Sequence, residues 1–298
     1  MNQNNYGYLF NDIMIENDKV IKTYKNEYGK MKINNEKQFY IFISTNNLSF
    51  KTPKLLNCSD GVIELEYIKD STTLTKIINN ENVLEFYKII KFNLDALHCV
   101  KIPVEKTIIT KDLNIELEKK IMDRFEEFDW CSNNLYNSIK TVNGIKIKNV
   151  GYYVKTIKNT LTTLLRDRDH YNLIHGDTHL GNILIDKKNE LYFIDPRGYF
   201  GETKLFGILE YDYAKLMFGI SGYSFFDDMN IESITINDSN LEIDFIKDFE
   251  YIFESNIFDK ITTLLCLSIW LGNNSCFTNI NKKIISVMIS FYYCEKYM

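Results

Sequence analysis

The segment from Leu173 to Gly198 holds three side chains whose types and order suit one kind of chemistry. An apolar run leads into His175-Gly176-Asp177, and four residues separate Asp177 from Asn182. A second apolar run, Ile183-Leu184-Ile185, is followed by a polar stretch at 187–190. A third run, Leu191-Tyr192-Phe193-Ile194, then delivers Asp195, Pro196 and Arg197. Two such runs about a polar turn predict a hairpin, and an antiparallel pair brings its open ends together. The hairpin should gather Asp177, Asn182 and Asp195 around one small volume. Two carboxylates and an amide are oxygen donors suited to Mg2+, a hard cation that accompanies substrate phosphates. The chemistry expected is phosphoryl transfer. Asp177 would accept the proton of an acceptor hydroxyl, while Asn182 and Asp195 would hold Mg2+ against the β- and γ-phosphates of a nucleotide. His175 is expected to brace the loop through hydrogen bonds to backbone.

The run HGDTHLGN (His175 to Asn182), followed by Asp195-Pro196-Arg197-Gly198, resembles the aminoglycoside/choline phosphotransferase branch of the protein-kinase-like superfamily. Gly176 stands where protein kinases carry arginine, and Asp-Pro-Arg-Gly stands where they carry Asp-Phe-Gly. Tyr211-Asp212-Tyr213-Ala214 resembles the helix whose aspartate hydrogen-bonds back to the catalytic loop. A helix N-cap is the other reading of Asp212. The resemblance implies an α+β, bilobal, protein-kinase-like fold with a small β-rich lobe ahead of a larger, mainly helical one. It implies ATP or GTP with Mg2+, and a small-molecule acceptor. A protein kinase or a nucleotide-binding regulatory pseudokinase is the alternative. The short span from Asp195 to Asp212 opposes the first, and the intact Asp177, Asn182 and Asp195 oppose the second. The run from Phe193 to Gly201, then Tyr211 to Leu216 and Gly222-Tyr223, resembles a bacterial subgroup associated with surface-polysaccharide genes. That implies a sugar or sugar-derived alcohol as acceptor.

A nucleotide site of this kind needs a lysine on the phosphates and a glutamate to orient it. Val20-Ile21-Lys22-Thr23-Tyr24 resembles the strand that carries the lysine, which makes Lys22 the candidate, with Glu36 as its partner. Both types also occur commonly on surfaces. Glu66-Tyr67-Ile68 resembles the interlobe hinge whose backbone binds adenine; a plain edge strand is the other reading. No glycine-rich phosphate loop is visible: only Gly7 lies upstream, and the turn expected at Phe10-Asn11-Asp12 has no glycine.

On the acceptor side, Arg197 could grip a phosphate or carboxylate in bidentate fashion, or pair with a neighbouring acid to shape its loop. His179 would line the pocket or fill space. The acid-rich stretch at 227–259 reads as a solvated face, or as a field attracting a cationic acceptor. Trp270, Tyr292 and Tyr293 could cage a quaternary ammonium, but their apolar neighbours favour core packing.

These residues need scaffolding. Val20-Ile21-Lys22 and Ile13-Met14-Ile15 read as a hairpin about an Asn17-Asp18 turn, and a helix is expected from Asn35-Glu36 onward. Further strands are expected at Lys54–Leu56 and Val62–Ile68. Helical spacing dominates from about residue 72, interrupted by the hairpin at 183–194. The expected division is a nucleotide-binding lobe at 1–68 and a catalytic, acceptor-binding lobe at 69–298. The chain has 298 residues, 45% hydrophobic and 25% charged, with a net charge of -5. Nothing supplies the basic field a nucleic acid would need. Six scattered cysteines without a CxxC pair read as core thiols in a reducing compartment. The polar start, Met1 to Asn5, lacks the features of a signal peptide. The longest apolar stretch, Ile261 to Leu271, is too short to span a bilayer. A cytoplasmic protein without a membrane partner is expected, its oligomeric state unreadable.

Overall fold

A computed structural model describes residues 10–298; Gly7 and the polar start lie outside the described residues. The chain divides into two compact units, one made of 1–103 and 170–212, the other of 104–169 and 213–298. The boundary expected after residue 68 falls inside the first unit.

The first elements among the described residues are β1 (Asn11–Glu16) and β2 (Lys19–Tyr24), paired antiparallel with Glu16 opposite Lys19. Asn17 and Asp18 both have positive φ, 50° and 61°, the turn that matches the twist of a tight hairpin. The turn expected at Phe10-Asn11-Asp12 is confined to Phe10, because Asn11 already pairs with Tyr24. Helix α1 (Glu27–Thr45) follows, capped by the Asn26 side chain accepting from Gly29 N–H. It therefore starts well before Asn35. The lysine-rich stretch that obscured its start is its polar side, while Ile33, Phe39, Tyr40 and Ile43 bury the other.

Strands β3 (Leu55–Ser59) and β4 (Val62–Glu66) complete a sheet of order β1-β2-β4-β3. Its inner face joins Ile63 and Leu65 to Ile33 and Tyr40 of α1, with Val20 and Leu55 at the margin. Next come β5 (Thr72–Thr73) and helix α2 (Val83–His98), and then β6 (Lys101–Pro103). Strand β6 pairs with the strand His170–Leu173, and the predicted hairpin forms between Ile183–Ile185 and Leu191–Phe193. Its turn is built by Asp186, whose Oδ1 accepts from the N–H groups of Lys188 and Glu190.

The second unit is mostly helical. Lys106–Leu113, Lys120–Glu126, Val150–Leu164, Lys260–Leu271 and Ile280–Tyr297 are α-helices, with a π-helical stretch at Asn114–Lys119. A small sheet of two-residue strands, missed by the periodicity, links Thr141–Val142 and Ile145–Lys146 to Ile236–Asn237 and Asn240–Leu241. Each strand is too short to produce a repeat. Among the described residues no helix is long and apolar enough to cross a membrane. Cys266 and Cys294 are buried as expected, but Cys58, Cys99 and Cys131 are exposed and Cys276 is intermediate. Scattered spacing carries no information on burial.

Candidate active site

The site is assembled wholly within the first unit, at the open end of the hairpin. Ile183 lies opposite Phe193, and beyond that pair Ile194 N–H donates to the Asn182 carbonyl at 2.9 Å. Asn182 and Asp195 therefore leave the two strands side by side. Asn182 turns its amide back on the loop: Nδ2 donates to the Asp177 carbonyl (2.9 Å) and to Asp177 Oδ2 (3.3 Å). Asp195 has φ of 57°, a left-handed backbone that a non-glycine residue adopts sparingly. The chain then folds back, with Arg197 N–H donating to the His175 carbonyl at 2.8 Å. Gly176, at φ 81°, faces Arg197, and a Cβ there would lie 3.1 Å from Arg197 Cβ. That close return explains why glycine, rather than arginine, suits position 176.

Lys22 and Glu36 meet as anticipated. Lys22 Nζ is 2.8 Å from Glu36 Oε1, both side chains being buried, and it also contacts the Asp195 carboxylate. Neither charge would be tolerated in that position without its partners. Lys22, Glu36 and Asp195 thus converge although they lie on a strand, a helix and a loop.

His175 is fully buried and braces rather than faces the site. Its Nδ1 accepts from Asp177 N–H at 3.3 Å. Phe39 and Phe193 meet its ring edge-on and Phe50 tilts against it. Burial among them pushes its pKa down to about 4, so the imidazole is neutral. Asp212 has no exposed surface and accepts from His175 N–H (2.9 Å) and Gly176 N–H (2.6 Å). It sits in the first turn of the helix Glu210–Phe218, inside the helix, so the N-cap reading is replaced by the bond to the loop.

Two partners of Asp212 escaped the sequence reading. His98 Nε2 lies 2.9 Å from its carboxylate, and the Thr178 hydroxyl donates to its carbonyl. A lone histidine ending the amphipathic helix α2 was the only local signal, and it did not name its partner.

Arg197 Nη1 donates to the Tyr211 hydroxyl at 2.8 Å, and its guanidinium lies 4.0 Å from the centre of the Tyr199 ring. His179 Nδ1 accepts from Gly181 N–H, while its Nε2 stands 3.9 Å from Asp177 Oδ2. Glu66 ends β4, Tyr67 and Ile68 follow it, and the Ile68 carbonyl accepts from the Ser71 hydroxyl at 2.7 Å. Glu66 N–H donates to the Lys54 carbonyl and Tyr67 N–H to the Asp18 carbonyl. The Tyr67 amide is thereby committed to the sheet. On the face of β1 and β2 that carries Lys22, Ile13 pairs with Lys22 and Ile15 with Val20. These two isoleucines are 40% and 60% exposed, an apolar surface beside a buried cation. In the second unit Trp270 and Tyr293 are buried and both bond Ser221, through its hydroxyl and its carbonyl, and Tyr292 is buried too. They are core, as their neighbours implied.

Among the described residues no three His, Cys, Asp or Glu side chains form a metal cluster by themselves. The Asp195 side chain is 42% exposed, and with Nδ2 of Asn182 engaged, its Oδ1 remains the acceptor end of that amide. So sparse an oxygen set fits Mg2+, which takes one or two carboxylates and completes its shell with water and substrate phosphates.

No model of a protein family matches the sequence, and no curated protein sequence matches it. Similar structures exist nonetheless. Aminoglycoside phosphotransferase APH(2'')-Ib with ADP bound superposes with a TM-score of 0.53 at 14% identity, over 97% of this chain and 91% of that one. The chain has a protein-kinase-like fold. APH(2'')-IIa in complex with gentamicin gives 0.52 at 14% identity, over 97% and 89%. A choline/ethanolamine kinase family protein from Mesorhizobium loti gives 0.51 at 10% identity, over 97% and 85%. The fold that the motifs implied is therefore the fold found, a β-rich N-terminal region followed by a helical C-terminal part.

Proposed function

We propose that the chain is a cytoplasmic phosphotransferase that moves the terminal phosphoryl group of a nucleoside triphosphate, ATP by preference, to a hydroxyl of a small polar molecule. The observation that carries this is the convergence of the buried Lys22–Glu36 pair on Asp195, at the hairpin mouth where Asn182 holds Asp177. Lys22, oriented by Glu36, binds phosphate oxygens. Asp177 accepts the acceptor's hydroxyl proton as that oxygen bonds to the γ-phosphorus. The bond from the γ-phosphorus to the β–γ bridging oxygen breaks, and its electron pair leaves with the nucleoside diphosphate. Asn182 and Asp195 would hold Mg2+, which would supply charge neutralisation across the phosphates. Ile13, Ile15 and Val20 cover the base, and the backbone of the segment Glu66-Tyr67-Ile68 is its hinge contact, through groups other than the Glu66 and Tyr67 amides, which bond the Lys54 and Asp18 carbonyls.

The acceptor is a sugar or an amino alcohol. Between Asp195 and Asp212 the chain forms only short strands at Tyr199–Phe200, Thr203–Lys204 and Phe206–Gly207, which offers no platform for a protein substrate. Arg197, stacked on Tyr199 and bonded to Tyr211, shapes the loop that follows Asp195.

Thermal shift with ATP or GTP, with and without Mg2+, tests the nucleotide half. Stabilisation that requires Mg2+ is expected. Release of the diphosphate in the presence of panels of sugars, choline and aminoglycosides tests the acceptor half. Absence of any nucleotide-dependent shift, or full turnover by Asp195→Ala, would overturn the assignment.

A further inference from the structure

Helix α1 touches the segment that follows Asp195 at Asn35, through two contacts, and neither is explained by the reaction alone. Asn35 precedes the phosphate-site glutamate Glu36 and is 4% exposed. Its Oδ1 accepts from Lys204 Nζ at 2.8 Å. Its carbonyl lies so close to Gly198 that a Cβ there would approach it to 2.9 Å, and Gly198 has φ of 67°. Lys204 itself is exposed and belongs to the two-residue strand Thr203–Lys204, where it lies opposite Tyr199. Its ammonium stands 5.2 Å from the Tyr199 ring centre, and Arg197 stacks on the same ring.

The other end of the Asn35 amide, Nδ2, is buried and has no hydrogen-bond partner among the described residues. A buried amide with an unanswered donor costs stability, and the bond from Lys204 to its Oδ1 offsets part of that cost. The helix thus reaches the Asp195 segment by two routes. One runs from Glu36 through Lys22 to Asp195, and the other from Asn35 to Lys204. The Asn35 bond thus adds a direct hold on the Asp195 segment to the packing of Ile33, Phe39, Tyr40 and Ile43 that seats the helix.

We propose that the Asn35–Lys204 hydrogen bond is a positioning latch, which fixes α1 against the segment after Asp195 and so sets Glu36 and Lys22 for the nucleotide phosphates. The proposal rests on the reading of Lys22, Glu36 and Asp195 as the nucleotide site. Lys204 touches no reactant and acts through Glu36 and Lys22.

The test is Mg2+-dependent binding of a fluorescent N-methylanthraniloyl ATP analogue, without acceptor, to the full chain. Lys204→Met keeps the length and removes the donor, and its exposed position leaves the fold intact. It is expected to weaken binding by roughly 5–10-fold, less than the full worth of a hydrogen bond to a charged group because the latch acts on the nucleotide indirectly. Lys204→Arg should restore most of the affinity. In a Lys22→Met background, Lys204→Met should have no further effect on binding, because the latch acts through Lys22. Unchanged affinity in Lys204→Met while the wild type binds would overturn the latch alone. An equal loss in both backgrounds, accompanied by equal drops in Tm, would reduce the pair to a merely structural contact and overturn it too. A wild-type chain that binds no Mg2+-nucleotide would overturn the functional reading itself, and the latch with it.

Discussion

Two clusters of aromatic and polar side chains, one around His175 and one around Trp270, resemble each other in composition and differ in what they hold. Around His175, Phe39, Phe50 and Phe193 enclose an imidazole that accepts from Asp177 N–H, so apolar packing there sets the position of a carboxylate. Around Trp270, Phe218, Tyr223 and Tyr293 enclose an indole whose N–H ends on the Ser221 hydroxyl at 3.0 Å. The first cluster passes its rigidity to a loop with a left-handed Asp195 and partly exposed carboxylates. The second terminates in the core. Aromatic content alone does not mark a site; what distinguishes one is whether the packing ends on a charged group that a ligand can reach.

The sharpest way to break this comparison is Asp195→Asn. Asparagine tolerates the positive φ, so the fold should persist with an almost unchanged Tm. Turnover should fall by about 10²–10³-fold, the usual cost of losing one preorganised electrostatic group. A steady-state assay beside a melting curve reads both, and an equal loss of Tm would place Asp195 with the structural cluster instead.

The next effect is on pH dependence. His175 titrates near its ordinary value of 6.5 when unfolded and at about 4 when folded, because burial disfavours the imidazolium. The folded state therefore binds fewer protons between those values, and its stability falls as pH drops from above 6.5 toward 4. The full effect is about 3 kcal/mol. Urea unfolding at pH 7 and pH 4.5 should show most of it, and His175→Gln should flatten the slope. A slope unaltered in that variant would mean the brace is not the titrating group.

The smallest effect should come from Trp270→Phe. Losing one buried hydrogen bond and some volume should cost about 1–2 kcal/mol in stability. The KM for any amino-alcohol acceptor should stay unchanged. A KM raised tenfold without loss of stability would return Trp270 to an acceptor cage.

Much of the first unit is legible in the sequence because its signals are local. The Asn17-Asp18 turn, the hairpin at 183–194 and the pairing of Lys22 with Glu36 follow from residue types, alternation and motif resemblance. The start of α1 was obscured because its first two turns are polar, and an Asn cap looks like any other asparagine. The strands of the second unit left no trace because two residues cannot establish a period. Exposed Cys58, Cys99 and Cys131 show the same limit, since burial depends on what packs above a residue rather than on the residue.

The sequence by itself determined the order and spacing of Asp177, Asn182 and Asp195, since a short hairpin leaves little freedom in where its ends go. It also determined the fold class through the motifs those residues form. Only the tertiary structure decided that Lys22 and Glu36 reach Asp195, that His98 supports Asp212, and that Asn35 meets Lys204. Those pairs join residues far apart in the chain, and their partners are selected by the packing of helix on sheet, which no local pattern encodes.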